Sequence, residues 1–399
     1  MNSIWNIYLF FSLYFYRLLA WFLSIVLRKK NAEDGILFLE NFPVENAGYQ
    51  YRAYKWKLEF EKKGQRCEVA TIFEDKDEFD RQFDNMPRML VRAMRRRFRQ
   101  CLYARRFAAV IVRRELLQFN DYGNLFMEKF LLSIHPNVIL DFDDDISASK
   151  REPRKISSLY GRFMCENGNK FTDSLKLYRR FVVGTDYLKN KVLDVNKSID
   201  SNAVIVVPTC VDYTDFPPKE YDKTSSEVVL GWIGGNHNLH YLDTLVSPLN
   251  MLAKDFKFRL IVVAGRDYSN SNADFEIENR KWSLETEKNL IKEFDIGLMP
   301  IEDNAVGRGK CGFKLLQYMG LGVIGVATDV TVNGEIIDDG KNGFLVNADN
   351  SNWYEVLKKA LSLQDRFTDI GANARCTVSE KYSFAANAGK YMEFIFYRK

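Results

Sequence analysis

Two successive series of short, mostly apolar runs, each interleaved with helical patterns, constrain this chain more than any other feature. The first series comprises Ile36–Glu40, Cys67–Ile72, Ala109–Val112, Val138–Asp141, Phe181–Val183 and Ala203–Val207. Helical spacing falls between them, as over Gly48–Lys63 and Tyr122–Ser133. Pro208–Glu227, with Pro217-Pro218 and many polar residues, then reads as a linker. The alternation restarts with Val228–Ile233, Phe258–Ala264, Ile296–Met299, Val323–Ala327 and Phe344–Val346. Runs this short and apolar suit strands covered on both faces. Two βα series predict two doubly wound parallel sheets, with ligands at the carboxyl ends of the strands.

Composition narrows the class. With 399 residues, 46% hydrophobic and 28% charged, the chain is neither disordered, collagenous nor polytopic. Its net charge of +4 is too mild to indicate nucleic acid as a partner. Three histidines and six scattered cysteines, without C-x-x-C spacing, argue against zinc and for reduced, mostly buried thiols.

Residues Ile4–Leu27 stand apart: only Asn6, Ser12, Arg17 and Ser24 interrupt 24 apolar residues, nine of them aromatic. A helix of that length reaches about 36 Å, enough to cross a bilayer. No basic residue precedes it and no small-residue cleavage site follows, so it does not read as a signal peptide. Arg28-Lys29-Lys30 would keep the body cytoplasmic. Arg17 and the aromatics equally suit a helix lying in the interface, and packing on the body is a third option. From Asn85 to Arg114 there is no acidic residue. Arg88, Arg92, Arg95, Arg96 and Arg99 alternate there with Met89, Leu90, Met94, Phe98 and Leu102. This reads as a basic amphipathic helix on an anionic membrane surface, the alternative being a solvated face.

Three loops after strands carry chemistry. In Gly231-Trp-Ile-Gly-Gly-Asn-His237, Gly234 and Gly235 admit a ligand close to the backbone. A helix near Leu239–Lys254 would come next. In Gly307–Gly322, glycines at 307, 309 and 312 precede a helix starting near Phe313. Arg308, Lys310 and Lys314 beside a helix N-terminus can neutralise a diphosphate without metal, and Gln317 shares a face with Lys314. In Glu45–Arg52, Gly48 opens the first helix. Asp141, Asp143, Asp144 and Asp145 close a buried strand and suit a metal, a solvated turn or sugar hydroxyls, although the spacing is not that of a calcium loop.

With these residues the chain resembles the family-4, group 1 type glycosyltransferases of the GT-B fold, over roughly residues 36–397. The matching stretches are Gly231-Trp-Ile-Gly234, Lys281-Trp282 with Glu285 and Glu287, Phe294–Pro300, Arg308–Met319, Asn333–Ile337 and Asp339–Leu345. In the first half they are Glu40-Asn-Phe-Pro43, Arg52-Ala-Tyr54, Arg114-Glu-Leu116 and Asp141–Asp144.

The resemblance implies two Rossmann-like α/β domains, an acceptor domain over 31–210 and a nucleotide-sugar donor domain over 228–382. A membrane-associating segment (1–30), a linker (211–227) and a C-terminal helix (383–399) crossing back to the first domain complete it. It implies retaining, metal-independent transfer of a hexose-type sugar from a nucleotide-diphosphate sugar, with no other cofactor. Lys310 and Lys314 would hold the diphosphate, with Arg308 nearby and the backbone at Gly234 and Gly235 approaching it. Gln317 takes the place of a glutamate that binds the donor ribose, and an amide can both donate and accept there. Gly309 takes the place of a second carboxylate. His240, Gly48, Arg52, Asp141 and Asp143 are further candidate contacts to donor or acceptor. The acceptor would be a saccharide or lipid-linked saccharide at the cytoplasmic face of the inner or plasma membrane. The main alternative is a catalytically inactive GT-B domain serving a membrane assembly. A dinucleotide enzyme is disfavoured because Glu40–Gly48 holds one glycine.

Overall fold

The computed structural model describes residues 2–81, 84–117, 125–148, 169–222 and 227–396. The chain divides into two compact units, residues 1–208 with 388–399, and residues 209–387.

The first unit is built on a parallel sheet of β1 (Ile36–Glu40), β2 (Cys67–Thr71), β3 (Ala109–Arg113), β4 (Val138–Phe142), β5 (Phe181–Val183) and β6 (Val204–Val206). Their spatial order is β2-β1-β3-β4-β5-β6, so the order reverses between β1 and β3. Four helical segments shape the core and surface of this unit. They are α1 (Asn2–Val26), α2 (Met86–Tyr103), α3 (Phe126–Ile134) and, from the chain's end, the last nine residues of Phe384–Phe396. The expected start of α3 at Tyr122–Asn124 lies outside the described residues. Strands β1 and β3 are buried along their whole length. Each fully buried Leu, Ile, Val or Phe there stabilises the unit by about 1.5–3 kcal/mol.

The amphipathic reading of α2 is half corrected. Its Leu90, Met94, Phe98 and Cys101 do not meet lipid; they join the core with Leu9 and Leu13 of α1. Arg97 lies on that same inward stripe and is fully buried. It donates to the carbonyls of Glu40 (2.8 Å) and Leu116 (2.9 Å) and to Asn41 Oδ1 (2.8 Å). Burial lowers its pKa to about 10. Near the chain end, the Tyr391 ring lies 4.9 Å from Trp56, and Asn137 Nδ2 donates to the Ile395 carbonyl (3.0 Å).

The second unit holds β7 (Val228–Ile233), β8 (Phe258–Ala264), β9 (Glu276–Lys281), β10 (Ile296–Met299), β11 (Ile324–Thr328) and β12 (Gly343–Val346). All pair in parallel in the order β12-β11-β10-β7-β8-β9. The order reverses between β7 and β10, as in doubly wound sheets that bind nucleotides. Helix α4 (Phe313–Gly320) lies between β10 and β11 in the chain. The fold is GT-B: two doubly wound parallel sheets flanked by helices. Strand β9 is absent from the sequence reading. The helix expected near Leu239 begins earlier, as a 3-10 turn over Asn236–Leu245, and becomes α-helical at Val246–Leu252. Of the described cysteines, Cys67, Cys101, Cys210 and Cys311 are buried thiols, whereas Cys376 is exposed.

Candidate active site

In the second unit the loops after β7 and β10 meet where the strand order reverses, the position at which open α/β sheets bind ligands. Tyr318 fixes this corner. Its hydroxyl accepts from Ile233 N (3.1 Å) at the end of β7 and donates to the Leu298 carbonyl (3.3 Å) of β10. Its ring packs where a Cβ on Gly297 would come within 2.4 Å. Helix α4 is thereby held across both strands.

Gly312 precedes α4 at φ +69°, and no side chain caps the helix N-terminus. Lys314, one residue inside, holds its ammonium 4.8 Å from the Trp232 ring centre. A Cβ on Gly234 would strike Trp232 at 2.6 Å and Lys314 Cε at 2.7 Å, so glycine is needed for Lys314 to lie there. Lys310 Nζ donates to Asn238 Oδ1 (3.2 Å) and sits 5.7 Å from the Tyr241 ring centre. Lys310 forms no ion pair among the described residues. Gln317, one turn beyond Lys314, is buried, and its Nε2 has no hydrogen-bond partner among the described residues. Two rigidly held ammonium groups, a helix N-terminus and a buried amide donor thus share one corner.

Other expected contacts are placed differently. The Gly234 N–H donates to the Val263 carbonyl (3.0 Å) and is not offered to an anion. Gly235 packs against His237, whose ring a Cβ would meet at 2.9 Å. Arg308 is gripped at two points by Asp303 (2.5 and 3.0 Å), so its charge is already answered. His240 is exposed, with Nδ1 against the His237 carbonyl at 2.9 Å.

In the first unit the corresponding loop end is solid. Arg52 and Asp141 form a buried, two-pronged ion pair (2.5 and 3.1 Å), with side chains 0% and 1% exposed. Arg52 also donates to the Val207 (3.0 Å) and Pro208 (3.1 Å) carbonyls. Burial pulls the Arg52 pKa down, but Asp141 and then Asp143 outweigh it and raise it. Asp143 pairs with Arg113 (2.5 Å) and Arg114 (3.3 Å), Asp144 with Arg114 (2.8 Å), and Asp145 with Lys191. Burial pushes Asp143 up, yet Arg113, Arg114 and Arg52 hold its carboxyl well below the usual range. Arg52, Asp141 and Asp143 are therefore structural ion pairs, not open contacts to donor or acceptor. Gly48 is likewise committed, its N–H donating to the Asn46 helix cap (2.8 Å). Among the described residues no group of three metal-ligating side chains occurs.

Sequence reading missed Glu40, which is fully buried at the end of β1. Its Oε1 accepts from Asn41 N (2.7 Å) and Phe42 N (3.3 Å) while Oε2 has no partner among the described residues. Burial raises its pKa. A polar residue closing an apolar strand at the reversal between β1 and β3 was its available signal.

Comparison with known proteins decides the class of the second unit. Residues 227–363 match the family model for glycosyl transferases group 1. The second unit carries a group 1 glycosyltransferase domain. No curated protein matches the chain by sequence. A glycosyltransferase from Rickettsia africae has the same fold (TM-score 0.61, 16% identity, covering 91% of this chain and 98% of that one). So does HepE from Anabaena bound to UDP (0.61, 11%, 90% and 98%). The lipopolysaccharide outer core galactosyltransferase WaaB is similar (0.58, 11%, 91% and 99%).

Proposed function

We propose that the protein moves a hexose-type sugar from a nucleoside-diphosphate sugar to a saccharide or lipid-linked saccharide, retaining anomeric configuration and needing no metal ion. The observation that carries this reading is the pair Lys310 and Lys314, held by Asn238, Tyr241 and Trp232 beside the N-terminus of α4. As the nucleoside diphosphate departs, negative charge grows on its oxygens. Ammonium groups already in place stabilise that charge more than they stabilise the bound donor. The buried Gln317 amide is suited to the donor ribose, its unsatisfied Nε2 gaining a partner on binding. The UDP held by HepE supports a nucleotide in this fold.

The first unit would take the acceptor. Helix α1, long and apolar enough to cross a bilayer, supports a membrane-associated enzyme at the cytoplasmic leaflet. The test is incubation with UDP-, GDP- and dTDP-sugars, with and without EDTA, scored by release of nucleoside diphosphate. Turnover of one donor in EDTA is expected. Activity restored only by manganese would overturn metal independence. Silence with every donor would favour an inactive domain, which Gly309 in place of a carboxylate already suggests.

A further inference from the structure

Helix α1 is two-faced in a way its sequence does not announce. Leu9, Leu13 and Ala20 are buried against the first unit. Tyr16 packs on Phe98 (5.3 Å), and Ser24 meets Ser133 of α3 through their hydroxyls (2.9 Å). Past the helix, Lys30 N donates to the Ile134 carbonyl (3.0 Å), so the attachment continues. The opposite face presents Ile4, Ile7, Phe11, Leu18, Trp21 and Ile25, from 58% to 74% exposed. Their spacing in steps of three, four and seven makes one continuous stripe. A helix with protein along one side and this stripe along the other suits the plane of a leaflet, not a path across it.

Beside the stripe, α1 and α2 enclose a groove of about 800 Å³. Trp5, Tyr8, Phe11 and Phe15 line one wall and Arg88, Arg92, Arg95 and Arg99 the other. The arginines occur at i, i+4, i+7 and i+11, along one face of α2. Arg92 faces Glu78 (3.4 Å). Arg88 lies 5.5 Å from the Trp5 ring centre, and among the described residues neither it, Arg95 nor Arg99 forms an ion pair. Arg96, expected on the membrane, instead turns to Glu74 (2.5 Å) and Glu78 (3.0 Å). Three unanswered guanidinium groups on one helical face repel one another. The opposite wall is aromatic and supplies no counter-charge. The occupant that answers both walls has a phosphate at one end and a hydrocarbon chain at the other.

We infer that the groove between α1 and α2 binds one anionic phospholipid, its phosphate among Arg88, Arg95 and Arg99 and its chain along Phe11 and Phe15, while α1 lies in the leaflet. This rests on the membrane association proposed above and adds a stoichiometric site to it.

The test uses the full chain and a variant carrying Arg88→Gln, Arg95→Gln and Arg99→Gln. Both are exchanged into neutral detergent with phosphatidylglycerol, and retained lipid is counted by native mass spectrometry and phosphate assay. Both are also sedimented with vesicles of phosphatidylcholine alone or mixed with phosphatidylglycerol. The parent is expected to retain one phosphatidylglycerol per chain. The variant should hold it about a hundredfold more weakly, each arginine near an anionic headgroup being worth a factor of about five. Both proteins should still bind phosphatidylcholine vesicles through α1. Should the triple variant melt early, Arg95→Gln alone supplies the comparison with about a fivefold loss. No retained lipid in the parent, or equal retention in parent and variant, overturns the site but leaves membrane association standing if vesicles still bind. A parent that ignores both vesicle types overturns the membrane reading and the site together.

Discussion

Both units end their sheets in loops rich in charge, and the two ends are built oppositely. In the first unit Arg52, Arg113, Arg114 and Lys191 are each answered by an aspartate of the Asp141–Asp145 turn. In the second, Lys310 is steadied by an amide and a ring, and Lys314 lies over an indole. A charge already paired inside the protein belongs to its architecture, whereas a charge positioned by neutral groups is available to a ligand. The same distinction separates Arg96 from Arg95 on one helix. Density of charge in the sequence is therefore a poor guide to a site, and what neutralises it is a good one.

The largest expected effect lies in the first unit. Arg52→Ala leaves Asp141 buried and uncompensated, and should cost about 3–5 kcal/mol in denaturant unfolding. Replacing both partners, Arg52→Met with Asp141→Leu, should recover much of that. A single variant as stable as the parent would break the contrast.

Next come Lys310→Ala and Lys314→Ala, each expected to lose about 2–4 kcal/mol of transition-state stabilisation, roughly 30- to 1000-fold in donor turnover. Their unfolding midpoints should stay at the parent's value. Parent-like turnover in both would move the phosphate site elsewhere.

Asp143→Asn should destabilise by about 2 kcal/mol at neutral pH, and here the sign of the pH dependence sharpens the comparison. Because the folded carboxyl is held below its ordinary range, its contribution is present above the unfolded pKa of about 4 and fades as acid protonates it. The gap between parent and variant in urea midpoints should therefore narrow on going from neutral to acid. A constant gap would show that the carboxylate's charge is not what matters.

Arg308→Ala should matter least. Its side chain is 52% exposed and already paired with Asp303, so donor turnover should change by less than about fivefold. A larger loss would mean that Asp303 releases it to the donor.

The strands were legible because burial on both faces leaves an apolar run: Val228–Ile233 and Phe258–Ala264 coincide with their observed limits. Strand β9, Glu-Ile-Glu-Asn-Arg-Lys, escaped because it is an edge strand, partly exposed and mostly charged, bonded only to β8. The corner holding Lys310, Lys314 and Gln317 was legible as glycines, cations and a helix start in one stretch. The partners of Asp141–Asp145 were not, because Arg52 and Arg114 are distant in sequence and pairing is a tertiary fact. Arg97 did leave a trace. It falls with Leu90, Met94 and Cys101 at i, i+4, i+7 and i+11, an inward stripe on which an arginine has to be buried.

The double attachment of α1 also has a consequence for the order of synthesis. The helix ends at Val26, but α2 begins only at Met86 and α3 at Phe126. At about 5–20 residues per second, the ribosome leaves α1 without its inward partners for several seconds. During that interval both faces of the helix are equally apolar to their surroundings, and a bilayer competes for each. Nascent chains stalled before Met86 should resist alkaline extraction from membranes as a spanning segment does, while the finished protein should come away. Equal extraction of the two would show that translation order leaves no mark on where the helix settles.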